Sequence, residues 1–407
     1  MKSNYEKIGD HIREVNIRNK DLQVNTLLGI NIDKYYMPSV ANIIGTDLAS
    51  YKIVEKGQFA CNRMHVGRDY RLPVALSNDD ESFIVSPAYD VFKIINEDAL
   101  LPEFLMMWFR RKEFDRNAWF YTDADVRGGL PWKSFCDMEI PVPDIEKQKE
   151  IVEEYNTIVN RIELNNQLIQ KLEETAQAIY RRWFVDFEFP DEEGKPYKSN
   201  GGEMIFNEEL QKEIPKGWEL KTLYKVANFI NGAAFRETDL STERTGYPIV
   251  KIAELKYGID SRTGYTNRKM NPKHKIVNGD ILYSWSGNPD TSLEVFKWFL
   301  GDAWVNQHIF KIEFEGNQDK TFTYYLLKEL KPILTKLAEG KQTTGLGHVT
   351  VADMKKIIIP YPNERVMQQL EKPLNPLYNL NSEYIIEQIN LKRLSAILLS
   401  KLALINN

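Results

Sequence analysis

At roughly 150 residues per domain, a chain of 407 residues argues for two or three domains, each large enough to bury its own core, and excludes a single small binding module. Hydrophobic residues at 43% and charged residues at 27% exclude a disordered or low-complexity chain. A net charge of -5 counts against a protein that coats nucleic acid through an all-round positive field, while leaving local basic patches open.

The opening stretch, MKSNYEKIGDHIREVNIRNK, is studded with charge, and no apolar run approaches the ~18 residues of a membrane span. A cytoplasmic protein without a targeting segment is expected. Cys61 and Cys136 are too few for a disulfide framework or a cysteine-rich zinc site, so both read as buried thiols. GQFACNR at 57–63 and VFKI at 91–94 read as strands, and LLPEFLMMWF at 100–109 as a helix. A short apolar run then closes with IPVP at 140–143.

From about 146 to 184 the apolar positions run Ile151, Tyr155, Ile158, Ile162, Asn165, Ile169, Leu172, Ala176, Ile179 and Trp183, in steps of four and three. That is a heptad seam. Such a helix is about 60 Å long at 1.5 Å per residue, and its seam requires a partner. The segment FPDEEGKPYKSNGGEM at 189–204 has the acids, Pro, Gly and Asn of an exposed connection.

Beyond it the first pattern returns. GDILYSW at 279–285 resembles GQFACNR, IFKI at 309–312 resembles VFKI, and DKTFTYYLLK at 319–328 takes the helical place of LLPEFLMMWF. IPYP at 359–362 repeats IPVP at an offset of 219. The same offset carries the seam onto Leu370, Leu374, Leu377, Asn381, Tyr384, Gln388, Leu391, Ser395, Leu398 and Leu402, so the nearest partner for the first long helix is its own copy. Pro373 and Pro376 would fall near the start of the second helix, where they cost least or produce a kink. The polar seam positions Asn165, Asn381 and Gln388 read as register-setting contacts, as a rim facing another protein, or as fraying.

IPVPDIEKQKEIV at 140–152 leading into the long helix, AIYRRWFVDFEFPDEEGKPYKSNGG at 178–202, IPKGWELKTL at 214–223 and the half-chain repeat together resemble the specificity subunits of type I restriction-modification systems. The match covers essentially the whole chain. The resemblance implies an α+β fold with two mixed α/β target-recognition domains, 1–143 and 214–362, in a pseudo-twofold repeat. Between them it implies two long antiparallel coiled-coil helices, 144–188 and 363–407, and a linker at 189–213. By the same resemblance each domain reads one half of a bipartite double-stranded DNA site, and the helices set the gap and dock two methyltransferase subunits. Restriction subunits with motor and endonuclease activity would join where cleavage occurs. No catalysis, metal or cofactor is expected in this chain, S-adenosylmethionine belonging to the methyltransferase partner. The second copy departs from the pattern by lacking the Glu-Lys-Gln run, having Asn363, Glu364, Arg365 and then Gln368, so equal contacts by the two helix starts are not implied. The rival reading is a self-associating coiled-coil scaffold without sequence-specific DNA binding.

Bases are read at major-groove edges by Arg or Lys on guanine and Asn or Gln on adenine, while phosphate contacts set position. On that chemistry the first-half candidates are Asn62, Arg63, His65, Arg68 and Arg71, which surround a glycine, with Arg127 in DVRGG. In the second half they are Arg262, Arg268 and Lys269 within the acid-free SRTGYTNRKMNPKHK at 261–275, Ser284 and Asn288 in the SWSGN turn, and Lys341, Gln342 and Thr343. Solvated surface arginine is the competing reading for these side chains. Trp285 and the other tryptophans are assigned to the core. The seam residues Ile151, Tyr155, Ile158, Ile162, Ile169, Leu172, Ile179, Leu370, Leu374, Leu377, Leu391 and Leu398 are assigned to helix packing or partner contact.

Other chemistries fail on spacing. NPLY at 375–378 superficially matches an adenine-methyltransferase turn, yet it has Leu in the third place and sits inside the helical repeat. GKQTTG at 340–345 lacks Ser or Thr directly after its lysine, so it is no P-loop. Cys61 and His65 have helical ligand spacing but no further ligands at a convincing spacing.

Overall fold

The structure is a computed structural model, and it describes residues 5–39, 46–64, 66–122, 128–314, 317–341 and 346–405. Two compact units emerge: Met1–Glu163 together with Ile389–Asn407, and Leu164–Gln388. The long helices, expected as modules of their own, are instead shared out, each unit taking the stretches whose apolar residues enter its core. Among the described residues no helix is long and apolar enough to cross a membrane.

In the first unit a four-stranded antiparallel sheet runs in the order Ile12–Val15, Asp90–Ile94, Gln58–Cys61, Val74–Leu76. The strand Gln58–Cys61 is buried along its whole length. Phe59 stacks on Phe92 at 5.0 Å and meets the edge of Phe109 at 5.9 Å. That places Pro102–Phe109, which begins with a proline already set for a helical start, across the sheet face. Phe114 and Phe135, from the helices Lys112–Phe120 and Trp132–Asp137, complete the cluster. The run ending in IPVP closes the unit as Glu139–Pro141, paired antiparallel with Tyr5–Lys7. Tyr155 of the first long helix and Leu402, in the turn just after the second, lie in the same core with Ile151, Val159 and Leu399 packed against it.

The second unit repeats this order with Asn228–Asn231, Ile309–Glu313, Ile281–Ser284 and Glu294–Lys297, all antiparallel, and closes with Glu219–Thr222 against Ile358–Tyr361. The helices Asn317–Glu329 and Lys331–Glu339 correspond to Pro102–Phe109 and Lys112–Phe120. One detail differs from the letter-by-letter match of GQFACNR with GDILYSW, which would equate Phe59 with Ile281. Phe59 lies opposite Phe92 and Tyr283 opposite Phe310, so the strand partner of Phe59 in the repeat is Tyr283, two residues on.

The acidic join is more than an exposed connection. Phe189 stacks on Tyr197 at 4.6 Å and on Trp218 at 5.3 Å, while Phe187 meets Trp218 edge-on at 5.5 Å. Met204–Asn207 then pairs with Lys212–Pro215. The acids stay outside because the aromatics between them have a core to enter.

The first long helix is Ile145–Phe184, 40 residues, and the second is Glu364–Lys401, 38 residues. Every seam position named above is buried or half-buried. In the second unit Asn165 Nδ2 donates to Glu387 at 3.0 Å, Asn381 Nδ2 to the Ile169 carbonyl at 3.1 Å, and Gln388 Nε2 to Asn166. Low numbers on one helix meet high numbers on the other, so these stretches run in opposite directions, and the polar seam positions bond across them. Pro373 and Pro376 lie inside the second helix rather than at its start. Having no N–H, they leave the carbonyls of Gln369 and Lys372 without their helical donors.

Candidate nucleic-acid interface

The first-unit candidates follow the buried strand Gln58–Cys61. Asn62 bonds locally, its Oδ1 accepting from the Met64 amide at 3.2 Å. Arg63 turns inward. Its Nε donates to Asp90 at 2.6 Å, its Nη1 to the Leu130 carbonyl, and its guanidinium lies over the Trp132 ring at 5.4 Å. Burial works against the cation, but the Asp90 hydrogen bond and charge outweigh it and hold its pKa above the usual value. Arg63 therefore anchors the loop, a correction to its expected reach toward bases.

The next turn, Val66–Asp69, is fixed by a backbone contact that only glycine permits. The Gly67 amide donates to the Gly128 carbonyl at 2.7 Å, and a Cβ on Gly67 would lie 2.8 Å from the Gly128 Cα. Arg68 and Arg71 point to solvent, Arg68 bonded to Asp69 and Arg71 to Asp33, both at 2.7 Å. Exposed pairs of this kind are worth about 0–1 kcal/mol, so either arginine is readily transferred to a phosphate. His65 and Arg127 lie outside the described residues.

Beneath this loop Lys34 is buried with its Nζ 2.6 Å from Asp115 and 2.6 Å from the Phe109 carbonyl, and the Leu72 amide donates to the same Asp115 oxygen at 3.1 Å. Burial pulls the Lys34 pKa down despite its partner. This pair ties the segment before the loop to the helix Lys112–Phe120.

In the second unit three cations of the acid-free stretch are paired, two of them with acids from elsewhere in the fold. Arg268 bonds Asp239 at 2.8 Å, Arg262 bonds Asp260 at 2.7 Å, and Lys275 meets Asp302 at 2.6 Å. Lys269 and Lys273 are exposed, and among the described residues no carboxylate lies within ion-pair distance of them. Ser284 is fully buried and its Oγ has no partner among the described residues, so it offers no surface to a base, a second correction. Asn288 is exposed but caps the four-residue helix Pro289–Ser292, accepting from the Thr291 amide at 3.2 Å. Lys341 donates to both oxygens of Asp353 at 2.5 and 2.6 Å. Burial pushes that carboxyl up, but the bonds from Lys341 and Thr350 outweigh it and hold it at about 2. Gln342 and Thr343 lie outside the described residues. Trp285 is half-buried, with its ring 5.8 Å from Phe310. Sequence reasoning missed one tryptophan of a different kind, since Trp119 is exposed.

Lys297, on the edge strand Glu294–Lys297, fastens the second sheet to the second long helix. Its Nζ donates to Asn381 Oδ1 at 2.8 Å, to the Tyr378 carbonyl at 3.2 Å and to Ser382 Oγ at 3.3 Å, and sits 3.6 Å from the Tyr378 ring centre. Burial brings its pKa down to about 7. An unfolded lysine titrates near 10.4, so between about 7 and 10.4 the unfolded chain binds more protons and stability rises with pH. Below that window the penalty for burying the cation is fully present. Lys297→Met is expected to flatten this rise by about 3 kcal/mol, read as the difference in urea unfolding free energy between pH 6.5 and 9.5. Equal gains in variant and parent would refute the assignment.

Among the described residues no group of His, Cys, Asp and Glu is placed to hold a metal ion. Cys61 is buried, which raises its thiol pKa, and Cys136 is half-buried.

The family model described as the type I restriction modification DNA specificity domain matches residues 74–174 and again 215–391. The MjaIX type I restriction enzyme specificity subunit of Methanocaldococcus jannaschii is 26% identical over 324 residues, covering 76% of this chain and 70% of that one. The HindI specificity subunit of Haemophilus influenzae is 22% identical over 91% of each chain. In fold, the crystal structure of a type I restriction-modification S subunit from M. genitalium aligns with a TM-score of 0.52 at 17% identity, covering 98% of this chain and 95% of that one. One family match holds two strands of the first sheet and runs into the first long helix, the other holds the whole corresponding sheet of the second unit, and together they span most of the chain, so the chain belongs to the type I restriction-modification DNA specificity family, with DNA sequence specificity as its role.

Proposed function

We propose that each unit reads one half of a split duplex site, within a complex whose chemistry resides in other subunits. The observation that carries this is the repeated sheet: two copies of one scaffold with different residues at equivalent loops can hold two different sets of base contacts. The two long helices serve as the spacer that sets the unread gap and as the docking element for two methyltransferase subunits. Those partners bind S-adenosylmethionine and transfer the methyl group, and restriction subunits join where cleavage occurs. With a net charge of -5, this chain gains its salt-dependent affinity from local cations such as Lys269 and Lys273 and from its partners.

The test is to co-express the chain with its methyltransferase subunit in a host free of DNA methylation and map methylated bases across the genome. The expected outcome is a motif of two specified halves around an unspecified gap, absent when this chain is omitted. An unsplit motif, or methylation that persists without the chain, would overturn the reading.

A further inference from the structure

We propose that the first unit carries an aromatic wedge, formed by Tyr70, Trp119 and Phe120, that packs against an opened base step in its half-site. This rests on the reading of the chain as a two-part DNA reader and names a contact within it. Tyr70, Trp119 and Phe120 are 62%, 44% and 76% exposed, with the Tyr70 and Trp119 rings 5.3 Å apart. Phe120 follows Trp119 at the end of the helix Lys112–Phe120, its ring 5.4 Å from that of the exposed Tyr121; single exposed apolar residues are ordinary, but exposed aromatics gathered at one helix end mark a binding surface.

The patch is held in place. Tyr70 has φ +56°, an uncommon conformation for a bulky residue. It follows the turn Val66–Asp69, which the Gly67–Gly128 contact pins and the inward Arg63 anchors. A strained residue kept by rigid surroundings presents its ring at no further ordering cost.

Cations share the two segments that carry the rings, Arg68 two residues before Tyr70 and Arg116 one turn before Trp119 and Phe120. Arg68, Lys112 and Arg116 are all exposed, Arg68 bonded to Asp69 and Arg116 3.5 Å from Glu113, pairs weak enough to yield to a phosphate. Apolar side chains flanked by cations are the combination that enters between base steps while holding the neighbouring backbone. A protein partner would be served by the aromatics alone, and the interleaved cations favour DNA.

The second unit supplies an internal control. Its helix Lys331–Glu339 is also nine residues long and begins with lysine, but where Trp119, Phe120 and Tyr121 stand, it has Ala338, Glu339 and Gly340. Ala338 is fully buried, and so is Leu293, which follows the short helix Pro289–Ser292 as Tyr70 follows Val66–Asp69. The scaffold therefore does not require the aromatics. They occur where one reader must differ from the other if the two read different halves.

The experiment uses the chain assembled with its methyltransferase subunit and duplexes carrying the mapped site, with 2-aminopurine at successive steps of the first half. Fluorescence is expected to rise at one step, reporting loss of stacking. Phe120→Ala and Trp119→Ala should each abolish the rise and weaken binding by about 5- to 100-fold, leaving discrimination at the second half unchanged. Phe120 is so exposed that its truncation does not threaten folding, which circular dichroism and retention of the methyltransferase subunit check. If the parent complex distinguishes both halves and the variants match it, the wedge is refuted and the two-part reading stands. If the parent distinguishes neither half, the two-part reading itself fails. Variants that lose the methyltransferase subunit would make the patch a protein-docking site and also refute the wedge.

Discussion

Replacing residues 215–350 by the corresponding stretch of another family member changes one half of the recognised site and leaves the other half intact. The exchanged stretch contains the whole repeated four-stranded sheet of the second unit and the helices Asn317–Glu329 and Lys331–Glu339, while every residue of the first unit is untouched. What must survive the exchange is the aromatic seat on the long helices. Phe322 lies 5.1 Å from Phe184 and 5.7 Å from Tyr180, and Tyr324 lies 5.5 Å from Tyr378. A donor with aromatics at those two positions should assemble. Each mismatched base pair costs about 1–3 kcal/mol, so a half-site of several positions is lost by orders of magnitude rather than by shades. Genome-wide methylation mapping reads the outcome directly, and a change in both halves would refute modular reading.

Asp115→Ala is expected to destabilise the first unit by about 3–5 kcal/mol, because it strands Lys34 as a buried, unpaired cation and removes the acceptor of the Leu72 amide. The penalty should shrink as pH rises. Burial already pulls the Lys34 pKa down, so an amine without its carboxylate escapes by losing its proton. The double variant Lys34→Met, Asp115→Leu removes both charges and should recover most of the loss. Denaturant unfolding at pH 6 and pH 9 measures all of this. A loss under about 1 kcal/mol at pH 6 would mean the pair is not the fastening described here.

The features most legible in the sequence were those set by periodicity. Steps of four and three picked out positions that are all buried or half-buried, because helical spacing alone decides which side chains share a stripe, but they missed Tyr180, Phe184, Val366, Met367 and Tyr378, which are buried beside that stripe. The repeat was legible through the strands GQFACNR and GDILYSW, though only pairing with the neighbouring strand reveals that Phe59 corresponds to Tyr283. Charge was least legible. The run at 261–275 lacks acids in sequence, yet Asp239 and Asp302 reach it through chain turns that composition does not encode. Arg63 looked like its neighbours Arg68 and Arg71 until Asp90, on the adjacent strand, drew it inward. Trp119 was hidden by the rule that tryptophans are core. A signal was available all the same, because the offset of 219 that aligns the seams also sets Ala118, Trp119 and Phe120 against Leu337, Ala338 and Glu339.

The two-residue displacement between Phe59 and Tyr283 also bears on how the halves diverged. Side chains alternate between the faces of a strand, so an even slip returns every inward residue to the inside, while an odd slip would have turned a core aromatic to solvent. Parity thus acts as a filter on length changes. Single insertions should be confined to loops, where they can refashion a reading surface freely, and changes within the central strands should be retained only in pairs. Two copies of one ancestral half could in this way drift apart in what they recognise while remaining interchangeable in how they fold.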